Sequence, residues 1–455
     1  MENNLDTEIM NCEEEKKELF EGEYSQQDPN MLSEVKQKLQ SEEEQELQTE
    51  EAQKMQSEEE KEKYIDEKPK KKYPFPESAS DWGVKKELLE KIQWSQDIQI
   101  KLQSLESLVQ LQYGDNREVN LVGIRHFIKN FKEFFQKLET ESSLLLSKLA
   151  YIALNKQQYF PQDFEINVLT KSKNERFQEI LLTNSQVLYF MSHMFFCTTI
   201  KIDDKYNSCN FLYYIYRDDP ILQQKLKFLF NYFKKAIDRL EASPDIVRRI
   251  SISRNSLGIA EYDAQVFLES QKQLTDVFID ENLRIEDFQG RRSMLGDFAN
   301  KYIGGGALSL GSVQEEILFL IYPELNVSAL FCQVMAGNEA IIMKGAMRFS
   351  KYYGYGYNLL YAGDFNQEFN KDCFDDMNRL ETTFIAIDAI AFDRQFSNQL
   401  LQRCIARELI KSYAGFVGIN CQDQEKLKIF ENLNSEHDNL EKKQIVTEQS
   451  IQANN

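Results

Sequence analysis

The sequence predicts an α/β domain built around a mixed sheet with flanking helices, preceded by an all-α domain and an acidic leader. Three observations carry this. Residues 84–245 hold long apolar-periodic stretches, such as FIKNFKEFFQKLETESSLLLSKLAYIAL and NSQVLYFMSHMFFCTTI, with few Pro or Gly to interrupt them. From about 250, short β-rich runs (TDVFID, RIEDF, AIIMKG, LLYAGDF, TFIAIDAI) alternate with helical ones (VQEEILFLIYPEL, FSNQLLQRCIARELIKSYAGF), the texture of a mixed sheet. Residues 1–72 hold 23 Asp and Glu against 11 Lys and Arg, with too few large apolar side chains to offset the entropy of ordering.

These observations divide the chain in order. Residues 1–72 are a disordered acidic leader ending in KPKKK (Lys68, Lys70, Lys71, Lys72), a run that fits either a nuclear import signal or a solvated linker. Residues 84–245 form the helical domain, about 160 residues long. Residues 250–420 form the α/β domain, and 421–455 a polar tail. In the helical domain, His193, Cys197 and the Phe runs read as core packing.

Composition narrows the function. The chain has 455 residues, 42% hydrophobic and 12% aromatic, enough for a sizeable core. Its net charge of -20 is carried mostly by the leader. A mildly acidic folded part argues against direct binding of duplex nucleic acid, which rests on Lys and Arg neutralising phosphates. No run of 18 apolar residues and no basic, apolar start marks a membrane span or a secretory signal. Seven scattered Cys without a CxxC pair, and three His without HExxH, fit neither a disulfide framework nor a zinc hydrolase.

The chemistry concentrates in residues 294–325, MLGDFANKYIGGGALSLGSVQEEILFLIYPEL. A strand is expected to end near Asp297, and a helix to begin near Ser312. Gly304, Gly305 and Gly306 between them permit positive φ and close approach of backbone to a ligand, and a helix start offers free N–H groups to an anion. A phosphate or diphosphate ligand fits both features. Equally, Ser312 to Glu315 reads as a capping box, and acids in a first turn favour the helix dipole.

GGG followed after seven residues by Gln314-Glu315-Glu316 resembles the signature of the poly(ADP-ribose) glycohydrolases. DFANKYIGGG, RFSKYYGYGY, TFIAIDAIAF, RELIKSYAGF, SHMFFCT and KLKFLFNYFKKA are similar to further segments of that family, so the likeness covers roughly residues 120–418 and suggests a protist member. The resemblance implies a macrodomain-like sheet fused to a helical accessory domain, acting without metal or nucleotide cofactor. It implies hydrolysis of the ribose–ribose bonds of poly(ADP-ribose) on modified proteins, by a monomer in the nucleus or cytoplasm. Carried over by position, Glu316 would be the general acid/base, Glu315 would hold ribose hydroxyls, and Asp297 would orient Glu316. Asn300 would contact ribose, the three glycines and Gln314 would line the substrate site, and Tyr355 would stack on adenine beside Glu286.

A pair of adjacent carboxylates in one helical turn points about 100° apart, so it cannot serve as the facing pair of an ordinary glycosidase. A single acid/base is therefore expected, with one carboxyl held protonated by its acidic neighbours. The chain departs from the family after Phe416. The family's second glycine-rich loop, GNWGCGAFGGD, and its following strand have no counterpart, so incomplete closure over the diphosphate and an unpaired sheet edge are expected. A catalytically degenerate ADP-ribose reader, or a truncated form, is the alternative expectation.

Overall fold

The computed structural model describes residues 70–420, apart from 114–119, 131–137, 172–175, 244–245, 258–266, 268–269, 272, 274, 289–291, 367–368 and 393–398. The leader up to residue 69 and the polar tail from 421 lie outside the described residues.

The helical half comprises α1 (Trp82–Trp94), α2 (Ile98–Tyr113), α3 (Val122–Asn130), α4 (Leu138–Leu154), the short α5 (Lys156–Tyr159), α6 (Asn184–Phe195), α7 (Leu212–Tyr216) and α8 (Pro220–Ala242). Local signals set its two central helices. Thr183 and Gln186 cap the start of α6 reciprocally, and Asp219 accepts from Ile221 N (2.8 Å) ahead of Pro220 at the start of α8. His193 and Cys197 are fully buried, as are Phe190, Phe195, Phe228 and Phe233, in agreement with their reading as core.

A five-stranded sheet has the order β1-β2-β4-β7-β3, with β1 (Phe177–Thr183), β2 (Arg249–Ser256), β3 (Met294–Ala299), β4 (Glu339–Lys344) and β7 (Thr383–Asp388). Only β3 and β7 run parallel among these neighbours. A separate hairpin joins β5 (Ser350–Tyr353) to β6 (Leu360–Asp364). α9 (Gln314–Ile321) follows the glycine loop, α10 is the turn Ser328–Phe331, and α11 (Gln402–Asn420) packs on β2, β4 and β7 through Ile410 and Ala414. Strands β4 and β7 read as near-continuous apolar runs because both faces of the sheet centre are covered.

Four expectations are corrected. The stretch 84–245 is not all helix: β1 lies inside it and supplies one edge of the sheet, its alternating burial spaced by two. The fold also begins before residue 84. Tyr73 and Phe75 are buried among Phe160, Phe190 and Phe331, Tyr73 N bonds Ile166 O, and Val168 N bonds Lys71 O. Lys71 and Lys72 of the basic run pair with Asp203 and Glu165, so the leader ends earlier than residue 72. Third, TDVFID forms no strand: Val277, Phe278 and Ile279 are 79%, 91% and 87% exposed. Fourth, RIEDF contains a 3-10 turn, Ile285–Asp287, in place of a strand. Among the described residues, no helix is long and apolar enough to cross a membrane.

Two stability predictions arise here. Arg254 on β2 is fully buried, pairs with buried Glu339, and donates to Gln333 O (2.7 Å) and Val334 O (2.9 Å). Arg254→Met strands the Glu339 charge in the interior, so urea unfolding should show a loss of about 3–5 kcal/mol. A loss under about 1 kcal/mol contradicts this account.

His193 is held far below its ordinary pKa, to about 3, first by burial. Its folded state therefore binds fewer protons than the unfolded chain between pH 6.5 and about 3. Stability should be lost as pH falls through that window, by up to about 1.4 kcal/mol per pH unit. Urea titrations of His193→Gln should show that component of the slope removed; an unchanged slope rejects the assignment.

Candidate functional site

β3 and α9 bring the candidate residues together at one end of the sheet. β3 runs to Ala299, two residues beyond its expected end, and alternates so that Leu295, Asp297 and Ala299 face inward. The chain then turns through Gly304 (φ +86°) and Gly305 (φ +47°), a left-handed pair that needs glycine, before α9 starts at Gln314.

The loop amides go to the two adjacent glutamates. Glu315 accepts from Gly304 N (2.7 Å) and Asn300 N (2.9 Å), while Glu316 accepts from Gly306 N (2.8 Å) and Val313 N (2.9 Å). Each carboxylate thus faces its own pair of amides, as the 100° divergence of helical neighbours requires. This overturns the Ser312–Glu315 capping box. Val313 is the N-cap residue, Glu316 satisfies its N–H, and Ser312 contributes its carbonyl to Gly356 N (2.9 Å).

Glycine is required for a second reason, close approach. A Cβ on Gly305 would collide with Glu315 and lie 2.8 Å from Glu316 Oε1, and one on Gly306 would lie 2.9 Å from Gly311 Cα. Gly311, which the sequence reading did not single out, is as tight: its Cβ would sit 2.6 Å from Glu316 Oε1.

Asp297 is wholly buried, and neither carboxyl oxygen has a hydrogen-bond partner among the described residues. It makes no bond to Glu316. Burial, with the charge of Glu316 added, holds it well above the usual carboxylate range. Burial also raises Glu315, with Asp297 adding to the rise and the Asn300 and Gly304 amides opposing it. Burial thus pushes both Asp297 and Glu315 toward their protonated forms.

Gln314 spends its side-chain amide on the edge of the sheet, accepting from Phe298 N (2.9 Å) and donating to Gly296 O (3.0 Å). It pairs two backbone groups of β3, an edge strand among the described residues, acting as a clamp between β3 and α9. Asn300 is exposed, and its Oδ1 accepts from Tyr302 N (3.0 Å).

The remaining two candidates, Tyr355 and Glu286, come from other segments, and the Tyr355 turn is tied to the residues just ahead of α9. Tyr355 is 37% exposed on the turn that Gly356 ties to Ser312, and the Arg284 guanidinium stands 5.7 Å from its ring centre. Burial, then the nearby Glu286, pushes the Tyr355 hydroxyl up to about 12. Glu286 is itself buried, with its carboxyl raised by that burial, and its carbonyl takes a bond from Arg348 (3.1 Å). Arg284 was not legible as a site residue in sequence.

The helical half reaches the same loop from beneath. Lys225 on α8 is fully buried and donates to the carbonyls of Gly306 (3.2 Å), Ala307 (3.1 Å) and Ser309 (2.8 Å). Burial pushes its ammonium down to about 7, against the pull of Glu316 and Asp219. Tyr214 on α7 donates to Ala307 O, and Asn207 to Ile303 O and Gly305 O.

Comparison with known proteins fits this arrangement. Residues 129–254 match the helical domain of poly(ADP-ribose) glycohydrolase, and residues 264–447 match its macro domain fold. Poly(ADP-ribose) glycohydrolase 1 of Caenorhabditis elegans is 34% identical over 249 residues, 52% of this chain and 29% of that protein. The Arabidopsis thaliana protein of the same name is 43% identical over 137 residues, 30% of this chain and 24% of its own length. Poly(ADP-ribose) glycohydrolase 2 of C. elegans is 31% identical over 239 residues, 51% of this chain and 46% of that protein. The chain thus spans less than half the length of each of these relatives. A helical half and a macrodomain-fold half, matched in sequence order to two parts of one family and joined at a glycine loop that seats two glutamates, lead to one assignment: the chain belongs to the poly(ADP-ribose) glycohydrolase family.

Proposed function

We propose that this protein hydrolyses the ribose–ribose glycosidic bonds of poly(ADP-ribose) on modified proteins and releases ADP-ribose, with Glu316 as a single general acid/base. The observation that carries the reading is the seating of Glu315 and Glu316 on separate pairs of backbone amides beside the buried, unpartnered Asp297. Glu316 enters the step protonated, gives that proton to the leaving 2′-oxygen as the bond breaks through an oxocarbenium-like state, and takes one back from the attacking water. Glu315 holds the ribose hydroxyls, and Asn300 contacts the ribose. Asp297, raised by burial, supplies a neutral carboxyl that spares the site a further negative charge. The backbone of Gly304, Gly305 and Gly306 lets the substrate approach closely. Tyr355 stacks on the adenine, an interaction worth about 1–3 kcal/mol for an aromatic on a base, with Glu286 beside it.

Such an activity belongs to the reversal of ADP-ribosylation, as in the DNA damage response, by a monomer in the nucleus or cytoplasm. The test is release of free ADP-ribose from purified polymer by the folded chain. Release supports hydrolysis; binding of ADP-ribose without release identifies a non-catalytic reader instead.

A further inference from the structure

Each peptide unit of a chain points its C=O and the following N–H in opposite directions. The unit between Ile303 and Gly304 therefore has its N–H on Glu315 Oε1 (2.7 Å) and its carbonyl on Asn207 Nδ2 (2.9 Å). The next unit but one repeats the pattern: Gly306 N–H meets Glu316 Oε1 (2.8 Å), and Gly305 O meets the same Asn207 Nδ2 (3.0 Å). One side-chain amide of the helical half thus holds the back of two of the four peptides that seat the glutamates, one for each carboxylate. Asn207 is in turn fixed by its Oδ1, which accepts from Ser208 N (2.7 Å).

We propose that Asn207 is a positioning residue for Glu315 and Glu316, with Lys225 and Tyr214 completing a set of helical-half donors that fixes the peptide orientations of the glycine loop. Gly304 and Gly305 make such a device necessary, because glycine peptides flip at little steric cost and two positive-φ residues do not hold their own orientation. Asn207 and Lys225 together take up the carbonyls of Ile303, Gly305, Gly306, Ala307 and Ser309. A flip of either amide-bearing peptide would aim a carbonyl at a glutamate in place of an N–H. The helical half is on this view part of the machinery that shapes the site, beyond its packing against the sheet.

The inference rests on the proposed catalytic role of Glu316, so the experiment has one arm that does not. Asn207→Asp keeps the size and the acceptor for Ser208 N but presents oxygen to the two carbonyls; Asn207→Ala removes the donor outright. Turnover of polymer, counted per ADP-ribose-binding site, should fall about 10- to 100-fold in both, the scale of a misplacement at a reacting centre. KM should stay within about threefold. In parallel, amide hydrogen exchange at Gly304 and Gly306 should rise at least about tenfold while α9 and β7 keep their protection. Wild-type exchange at these glycines, or a loss confined to KM, overturns the proposal. If wild type releases no ADP-ribose, the catalytic reading fails, yet the exchange arm still decides whether Asn207 holds the loop. Should both Asn207 variants fail to fold, Tyr214→Phe, which loses one hydroxyl, takes their place, and unchanged loop exchange and turnover in it overturn the proposal.

Discussion

Glu316→Gln is expected to lower ADP-ribose release by about 100-fold to 10,000-fold, the range for removing a positioned acid/base. The amide keeps the shape of the carboxylate but cannot cycle a proton. Its seat makes a second expectation specific to this protein. Glu316 accepts a backbone N–H on each oxygen, from Gly306 and from Val313. A glutamine offers one oxygen and one NH2, so one of those amides meets a donor and loses its partner. A stability cost of about 1–3 kcal/mol should accompany the loss of turnover. ADP-ribose affinity should stay within a few-fold, since Tyr355 and the Glu315 seat are untouched. The two effects separate in one set of measurements: urea unfolding, calorimetric binding of ADP-ribose and polymer turnover. Turnover near wild type would mean that Glu316 only caps α9. Ser312→Ala is the contrast, because Ser312 contributes its carbonyl and no capping side chain; stability should change by less than about 0.5 kcal/mol.

The parts of this fold that were legible in sequence are those whose signal is local. TFIAID and AIIMKG read as strands because their sheet centre is covered on both faces, and α9 and α11 read as helices from apolar period. β1 was missed because its seven residues, FQEILLT, carry the alternation of a half-buried strand within a long helical context. β2 was missed for a different reason: RISISRNS buries Arg249, Ser251, Ser253 and Arg254, polar residues that only distant partners such as Glu339 make tolerable. TDVFID erred the other way, its β-branched and aromatic run standing exposed and, among the described residues, unpaired with any strand.

The site divides along the same line. Glu315, Glu316, Asp297 and the three glycines lie within 20 residues of each other, and their spacing is visible. Asn207, Tyr214 and Lys225 act on backbone carbonyls some 80 to 100 residues further along the chain. A carbonyl leaves no mark on the identity of its residue, so no pattern search could have linked them. Gln314 shows the converse, a residue inside a visible motif whose side chain is occupied by the edge of β3.

Gly311→Ala should lower turnover by about 100-fold, a larger effect than a single methyl on a loop ordinarily has. The cause is proximity. The added Cβ would lie 2.6 Å from Glu316 Oε1, 2.7 Å from its Cδ and 2.9 Å from Gly306 Cα, so the carboxylate, the loop or both must move. Gly311 does not adopt a left-handed φ, so alanine costs nothing in backbone strain there and the contact alone is tested. Glu316 cannot yield freely, because Gly306 N and Val313 N hold its two oxygens from different sides. Displacement of about 1 Å at such a group is enough for a hundredfold loss. Overpacking should also cost about 1–3 kcal/mol in urea unfolding. Gly83→Ala supplies the control, since a Cβ there meets nothing within 4 Å in the first turn of α1; it should leave turnover unchanged and add up to about 1 kcal/mol of stability. Full turnover in folded Gly311→Ala would show that Glu316 tolerates being moved, and with it that the proton transfer assigned to Glu316 occurs elsewhere.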